Sequence, residues 1–438
     1  MISISSRLRF LANLSAITRN LVYYDDQYSY WFNTLHRTFF RLSRELGHKL
    51  EGFSANLASL KSECYDIYKK LVNSGFIVPR NTNELELFKQ ENSKAIHSKD
   101  YFLIVLPTLN CNFSCWYCIQ KHVESIMPES VLERLKRHID YAIDTCNITS
   151  LQIEWFGGEP FMYFKQIIIP LSLYAIAKCK QKNIPFLNSA TTNGFYLNEN
   201  VSKSLQELEF QSFQITLDGE QKYHDKVKHQ KNCSSAFKHV LSNINKCLTI
   251  NSEIVVYLRI NYTHKNLTKE IVEQVNEFIE PTNRKRIIIR MKKVWQEKTD
   301  KSFSSQISYI QSLFANAGYR IEYFEPLPFY SCYTNKEYYN AVNFNGNIVK
   351  CTACNDLYDS ITEGKLLDNG EIAWNKPRSQ YQCISYENAK CLACKKLPIC
   401  MGVCPHDFID GINICKYEAE EFDFKTAIIN YINQAYEK

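Results

Sequence analysis

Residues 102–118 read Phe-Leu-Ile-Val-Leu-Pro-Thr-Leu-Asn-Cys-Asn-Phe-Ser-Cys-Trp-Tyr-Cys, an apolar run of strand length that ends in a CxxxCxxC triplet. Three thiolates at this spacing, Cys111, Cys115 and Cys118, suit three irons of a [4Fe–4S] cube and leave the fourth iron to a ligand that is not protein. The same spacing also encodes zinc knuckles, so the triplet alone leaves both readings open.

Outward from the triplet, strand-length runs alternate with helical patterns. The strands are expected at Phe102–Leu106, Leu151–Phe156, Phe186–Thr191, Phe213–Leu217, Ile254–Tyr262 and Arg286–Met291. The helices between and after them are expected near 129–145, 164–181, 198–207, 235–248, 269–278 and 304–317. The first helix is well marked: Val131, Leu132, Leu135, Ile139 and Ile143 recur at helical spacing behind Pro128. Such alternation predicts parallel βαβ units with the active groups at the carboxyl ends of the strands.

Those ends carry further signals. The second strand runs into Trp155-Phe156-Gly157-Gly158-Glu159-Pro160, where glycines let backbone approach a ligand and Glu159 offers a carboxylate acceptor. The third ends in Thr191-Thr192-Asn193-Gly194 and the fourth in Ile215-Thr216-Leu217-Asp218-Gly219. With the triplet, the Gly-Gly-Glu-Pro string resembles the signature of the radical S-adenosylmethionine (SAM) enzymes. That resemblance implies a (β/α)6 partial barrel, and a cluster whose open iron is chelated by SAM. It implies SAM contacts from Tyr117 (adenine), Gly157, Gly158 and Glu159 (methionine amino group), and Thr192, Asn193, Thr216 and Asp218 (ribose or methionine groups). Lys228 stands where relatives carry an arginine that pairs with the SAM carboxylate; lysine keeps the charge but loses the planar fork. Arg259, on the fifth strand with Asn261, is the other candidate for that carboxylate.

The last third of the chain is rich in cysteine: Cys332, Cys351, then Cys391-x2-Cys394-x5-Cys400-x3-Cys404, and Cys415. This resembles the SPASM domain of peptide-modifying radical SAM enzymes. The resemblance implies two auxiliary [4Fe–4S] clusters, a distal one on Cys391, Cys394, Cys400 and Cys415 and a nearer one on Cys332, Cys351 and Cys404. Cys354 either closes the nearer cluster or leaves it with an open iron, and zinc in part of this region is the competing reading. Cysteines 64, 146, 179, 233, 247 and 383 lack ligand spacing and read as buried apolar thiols. His122 and His406 fit no ligand pattern.

Residues 1–98 hold no such motif. Helix-like spacing near Tyr28–Leu50 and Leu60–Ser74, and a short strand at Phe76-Ile77-Val78, suggest a small α-rich or winged-helix-like domain. The expected layout is therefore an α/β chain of three domains: 1–98, the partial barrel at 99–325, and the cysteine-rich domain at 326–438. An amphipathic helix is expected near Glu418–Tyr436.

Composition fits a globular protein of 438 residues, 45% hydrophobic and 22% charged. A net charge of +6 with both signs spread along the chain argues for neither nucleic acid nor membrane binding. Arg7 and Arg9 interrupt any signal-like apolar stretch, and the apolar run around Ile167–Ala177 is too short for a bilayer span. A cytoplasmic protein is expected, whose 17 cysteines serve metal or catalysis in place of disulfides.

The resemblance implies reductive cleavage of SAM by an electron from a flavodoxin- or ferredoxin-like donor, then hydrogen abstraction from a ribosomally made precursor peptide to install a thioether, a carbon–carbon link or an oxidation. A winged N-terminal domain would suit leader-peptide capture by strand addition. The nearest alternative is formylglycine formation of the anaerobic sulfatase-maturase kind. There an Asp commonly follows the cysteine corresponding to Cys351, where this chain has Thr352. A non-catalytic iron–sulfur protein that relays electrons or binds a partner is the alternative from another class; it leaves the Gly-Gly-Glu-Pro loop idle.

Overall fold

A computed structural model describes residues 8–10, 19–298, 302–330, 332–353, 362–375, 378–382, 388–412, 415 and 424–437. It resolves into two compact units, neither continuous in sequence: one is Met1–His97 with Tyr323–Lys336 and Ser379–Lys438, the other Ser98–Glu322 with Glu337–Arg378. The N-terminal segment and the last cysteine-rich segment fold as one body.

That body begins with β1 (Leu8–Phe10), then a meander of β2 (Asn20–Tyr24), β3 (Tyr28–Asn33) and β4 (Thr38–Ser43). Next come α1 (Arg44–Gly52), α2 (Leu57–Glu63), α3 (Tyr65–Asn73), β5 (Ile77–Pro79), paired with β1, and α4 (Glu84–Ile96). The helix expected through Tyr28–Leu50 is two strands before it is a helix. From Tyr30 on, every residue of β3 is buried, so both of its faces are apolar or enclosed and no two-residue alternation survives in the sequence. Tyr30 and Phe32 share a core with Ile399 and with Phe424, Ile428 and Ile432 of the C-terminal helix (Phe424–Glu437). The side chains of Arg19 and Thr34 donate to the carbonyls of Cys394 (2.5 Å) and Lys395 (2.7 Å).

The second unit contains the predicted alternation: β6 (Asp100–Val105), α5 (Glu129–Asp144), β7 (Ser150–Trp155), α6 (Ile169–Gln181), β8 (Phe186–Thr192), α7 (Glu199–Ser204), β9 (Phe210–Leu217), α8 (Gln221–Val227), α9 (Ala236–Ile250), β10 (Val255–Tyr262), α10 (Glu270–Phe278), α11 (Pro281–Arg284), β11 (Ile287–Lys293), α12 (Ser302–Asn316) and β12 (Arg320–Ile321). From β12 through β6 the strands are hydrogen-bonded in reverse sequence order and all parallel. The hairpin strands β13 (Tyr339–Val342), β14 (Asn347–Val349), β15 (Gly364–Leu366) and β16 (Ile372–Trp374) extend the β6 edge, so the sheet is open, mixed and eleven-stranded.

Side chains alternate across this sheet. Ile153, Trp155, Phe213, Ile215, Val256, Leu258, Ile287 and Ile289 are buried in one core with the apolar stripe of α5. The opposite face is polar, carrying Gln152, Glu154, Thr191, Gln214, Thr216 and Arg259. The segment Pro160–Gln181 is apolar and long enough to cross a bilayer by length and composition alone. Ile168, Leu171 and Ala175 in it are fully buried in this core.

Candidate active site

The carboxyl ends of β6 to β11 surround a cavity of about 390 Å³. Cys111, Cys115 and Cys118 form part of its wall, on the loop that leaves β6. Burial pushes the Cys111 thiol up to about 12, and raises Cys115 and Cys118 above their ordinary value. Buried thiols of this kind become thiolates when a metal takes them up. Cys111 feels the charge of both other thiols, so the triplet is gathered. Yet among the described residues no three His, Cys, Asp or Glu side chains converge tightly enough to share a single ion.

The loop is held by the turn after β7. Gly157 adopts φ +127°, a region that favours glycine, and a Cβ there would lie 2.4 Å from the Thr108 carbonyl oxygen. A Cβ on Gly158 would lie 2.0 Å from that of Asn110. The N–H groups of Gly158 and Glu159 donate to these same carbonyls, at 3.1 and 2.8 Å. Two glycines thus let one backbone lie directly on the other and fix where the cysteines begin.

Of the predicted contacts, Tyr117, Gly157, Gly158, Thr192, Asn193, Thr216, Lys228 and Arg259 line the cavity. Glu159 and Asp218 do not. Glu159 is fully buried and was expected to meet an ammonium. Its oxygens instead accept from Thr192 Oγ1 (2.7 Å) and the N–H groups of Asn193 (2.8 Å) and Phe161 (3.0 Å). It is the strut that fixes the end of β8, and burial pushes its carboxyl up to about 7. Asp218, 1% exposed, is likewise an internal tie. Tyr117 Oη donates to one of its oxygens (2.5 Å) and Lys228 Nζ to the other (2.6 Å). His224 backs this tie: its Nδ1 accepts from the Asp218 N–H at 3.3 Å, and burial holds its pKa well below normal.

Lys228 therefore arrives with its charge already matched. Arg259 does not. Its Nε donates to Asn261 Oδ1 (2.8 Å), and its terminal nitrogens make no hydrogen bond among the described residues. Burial lowers its pKa, and the ordinary value is high enough that it stays charged. Asn193 reaches back to the cysteine loop, donating from Nδ2 to Asn112 Oδ1 at 2.8 Å. No motif marked three further wall residues: His122, whose Nε2 lies 3.4 Å from Cys118 Sγ, and Trp295 and Gln296 from the loop after β11. Thr352 is also in the wall, so a hydroxyl occupies the position where a carboxylate was sought.

In the first unit, Cys391 is within electrostatic reach of Cys400, Cys394 and Cys415, the four residues expected to share the distal cluster, and burial pushes it up to about 11. Cys404 feels Cys332. Cys351 belongs to the second unit. Cys354 and Cys383 lie outside the described residues.

Comparison with known proteins places this geometry. Residues 105–279 match the Radical SAM superfamily. A cysteine-type anaerobic sulfatase-maturating enzyme of Clostridium novyi (strain NT) is 27% identical over 187 residues, 40% of this chain and 46% of that protein. The chain spans less than half the length of the curated relatives it matches. Among solved structures, native anSMEcpe with bound AdoMet and Cp18Cys peptide superposes with TM-score 0.52 at 19% identity, over 69% of this chain and 88% of that one. Streptococcus suis SuiB bound to precursor peptide SuiA does so with TM-score 0.51 at 16% identity, over 90% of this chain and 96% of that one. At these identities the superpositions establish a shared fold.

Proposed function

Residues 105–279 are a radical SAM domain, and from that premise we propose that the chain is a peptide-modifying radical SAM enzyme that matures a ribosomally made precursor. The observation that carries this reading is that three thiols, the Gly157–Gly158 backbone and the Arg259 guanidinium line one cavity. When bound there and given one electron through a [4Fe–4S] cluster, SAM supplies a carbon radical able to take hydrogen from an unactivated C–H bond.

Each residue has a task in that reading. Cys111, Cys115 and Cys118 would hold the cluster. Arg259 would take the SAM carboxylate. Gly157 and Gly158 offer backbone at close range, and Glu159 holds Thr192 and Asn193 at the rim. Tyr117, pinned by Asp218, forms a fixed wall against the adenine. The walls exclude water and fix the target carbon, which is a positioning task.

Auxiliary clusters on the C-terminal cysteines fit the donor set. Cys391 is within electrostatic reach of Cys394, Cys400 and Cys415, as a shared site requires. A peptide substrate is supported by the shared fold with SuiB, a structure solved with a precursor peptide. Among the described residues β4 has β3 as its one strand partner, and the Arg41 N–H on its outer edge is taken by Tyr436 Oη at 3.1 Å, so a leader segment adding as a strand would use the rest of that edge. Formylglycine formation remains the second reading, favoured by the names of two curated relatives and disfavoured by Thr352.

Anaerobically reconstituted protein given SAM and dithionite should release 5′-deoxyadenosine. Cys115→Ala should abolish that release and lower iron by about four atoms per chain, one cubane, while the auxiliary iron stays. Turnover by Cys115→Ala would refute the site.

A further inference from the structure

A second cavity, of about 320 Å³, lies on the other side of Tyr117 from the SAM site and shares only Tyr117 and Val294 with it. Its wall includes Trp116, Tyr223, Lys226 and Lys265. Trp116 sits inside the cysteine triplet, one residue after Cys115 and two before Cys118, yet it is 59% exposed. A large exposed aromatic beside the cysteine triplet offers a partner a central anchor. Lys226 and Lys265 are exposed as well, and neither makes an ion pair among the described residues. The one carboxylate in the wall, Asp218, is committed to Tyr117 and Lys228.

We propose that this face is the docking surface for the reductant, a small acidic one-electron carrier protein. The inference rests on the radical SAM reading and adds the place where the electron enters. The Tyr117–Asp218–Lys228 tie separates this face from the SAM cavity. A group seated on this face has Tyr117 and Val294 between it and the SAM cavity. An electron can pass, because Trp116 is joined through the backbone to the residues that hold the cluster, and its ring meets Tyr117 edge-on at 5.6 Å. In the docked complex the carrier is oxidised by one electron and the cluster reduced by one; no bond forms or breaks. Two unpaired lysines around an aromatic anchor give an acidic partner both steering and a central contact.

The test compares two donors on the full-length holoenzyme. Lys226→Glu/Lys265→Glu should lower kcat/KM for reduced flavodoxin at least tenfold in SAM cleavage and flatten its dependence on ionic strength. With dithionite, too small to need the face, the same variant should match the wild type. Unchanged flavodoxin kinetics would overturn the proposal. An equal loss with both donors would also overturn it, because the lysines would then be serving the SAM site or the fold. Wild-type protein that makes no 5′-deoxyadenosine with dithionite would instead bring down the radical SAM reading and this inference with it.

Discussion

Glu154 owes its chemistry to neighbours far along the chain. It stands on the polar face of β7, two residues before Phe156 at the cavity, with the hydroxyls of Ser189 and Thr191 as donors. Burial pushes its carboxyl up to about 7. The folded state therefore holds a proton that the unfolded chain releases near its ordinary value. The resulting stability is complete below about pH 4.5 and is lost as pH rises through 7. Glu154→Gln should melt higher than wild type at pH 8, with the gap closing toward pH 5.5. Its size is at most roughly 3 kcal/mol, because the carboxyl keeps some contact with solvent. Scanning calorimetry across that range checks it; a gap that does not change with pH would mean the carboxyl is ionised throughout. The sequence could not have revealed this, since the environment of Glu154 comes from β8, more than thirty residues on. It did place the residues at the strand ends. What it could not foresee was which of them would be consumed internally, as Glu159 and Asp218 are, and which would stay open, as Arg259 does.

At the scale of elements, legibility followed the hydrophobic pattern. Each strand from β6 to β11 appeared within a few residues of its expected place, because the faces of β7, β9 and β10 differ in polarity. The β3–β4 hairpin did not, because β3 is enclosed on both sides. The Gly-Gly turn after β7 was legible as a motif, but its mechanical role appears only with the loop after β6 beneath it. Gly158→Ala should push the Asn110 carbonyl away and displace the first cysteine one residue later. Iron at the Cys111–Cys118 site should fall below half occupancy while the C-terminal clusters fill normally, and the melting temperature should drop by several degrees. Mössbauer quantitation separates the two populations, and full occupancy of all sites would show that the turn is slack.

The division of the whole molecule was the least legible feature, because no local pattern announces that residues 1–97 and 379–438 share a core. Contacts more than 350 residues apart create that unit, and two of them hold the loop that carries Cys394. Arg19, 1% exposed, donates to the carbonyl of Cys394, and Thr34 to that of Lys395. In the proposed function Cys394 would be a ligand of the distal cluster, and a buried guanidinium on its carbonyl would then make the N-terminal strands a support of that site. Replacing Arg19 by Met keeps most of the volume and removes a charged hydrogen bond of about 1.5–3 kcal/mol. The Arg19→Met protein should release auxiliary iron to a chelator about tenfold faster than wild type, while SAM cleavage driven by dithionite is retained. If the rate of iron loss is unchanged, the N-terminal segment is a neighbour of that site and not its support. If SAM cleavage falls in step, the effect is one of global stability and not of the auxiliary site.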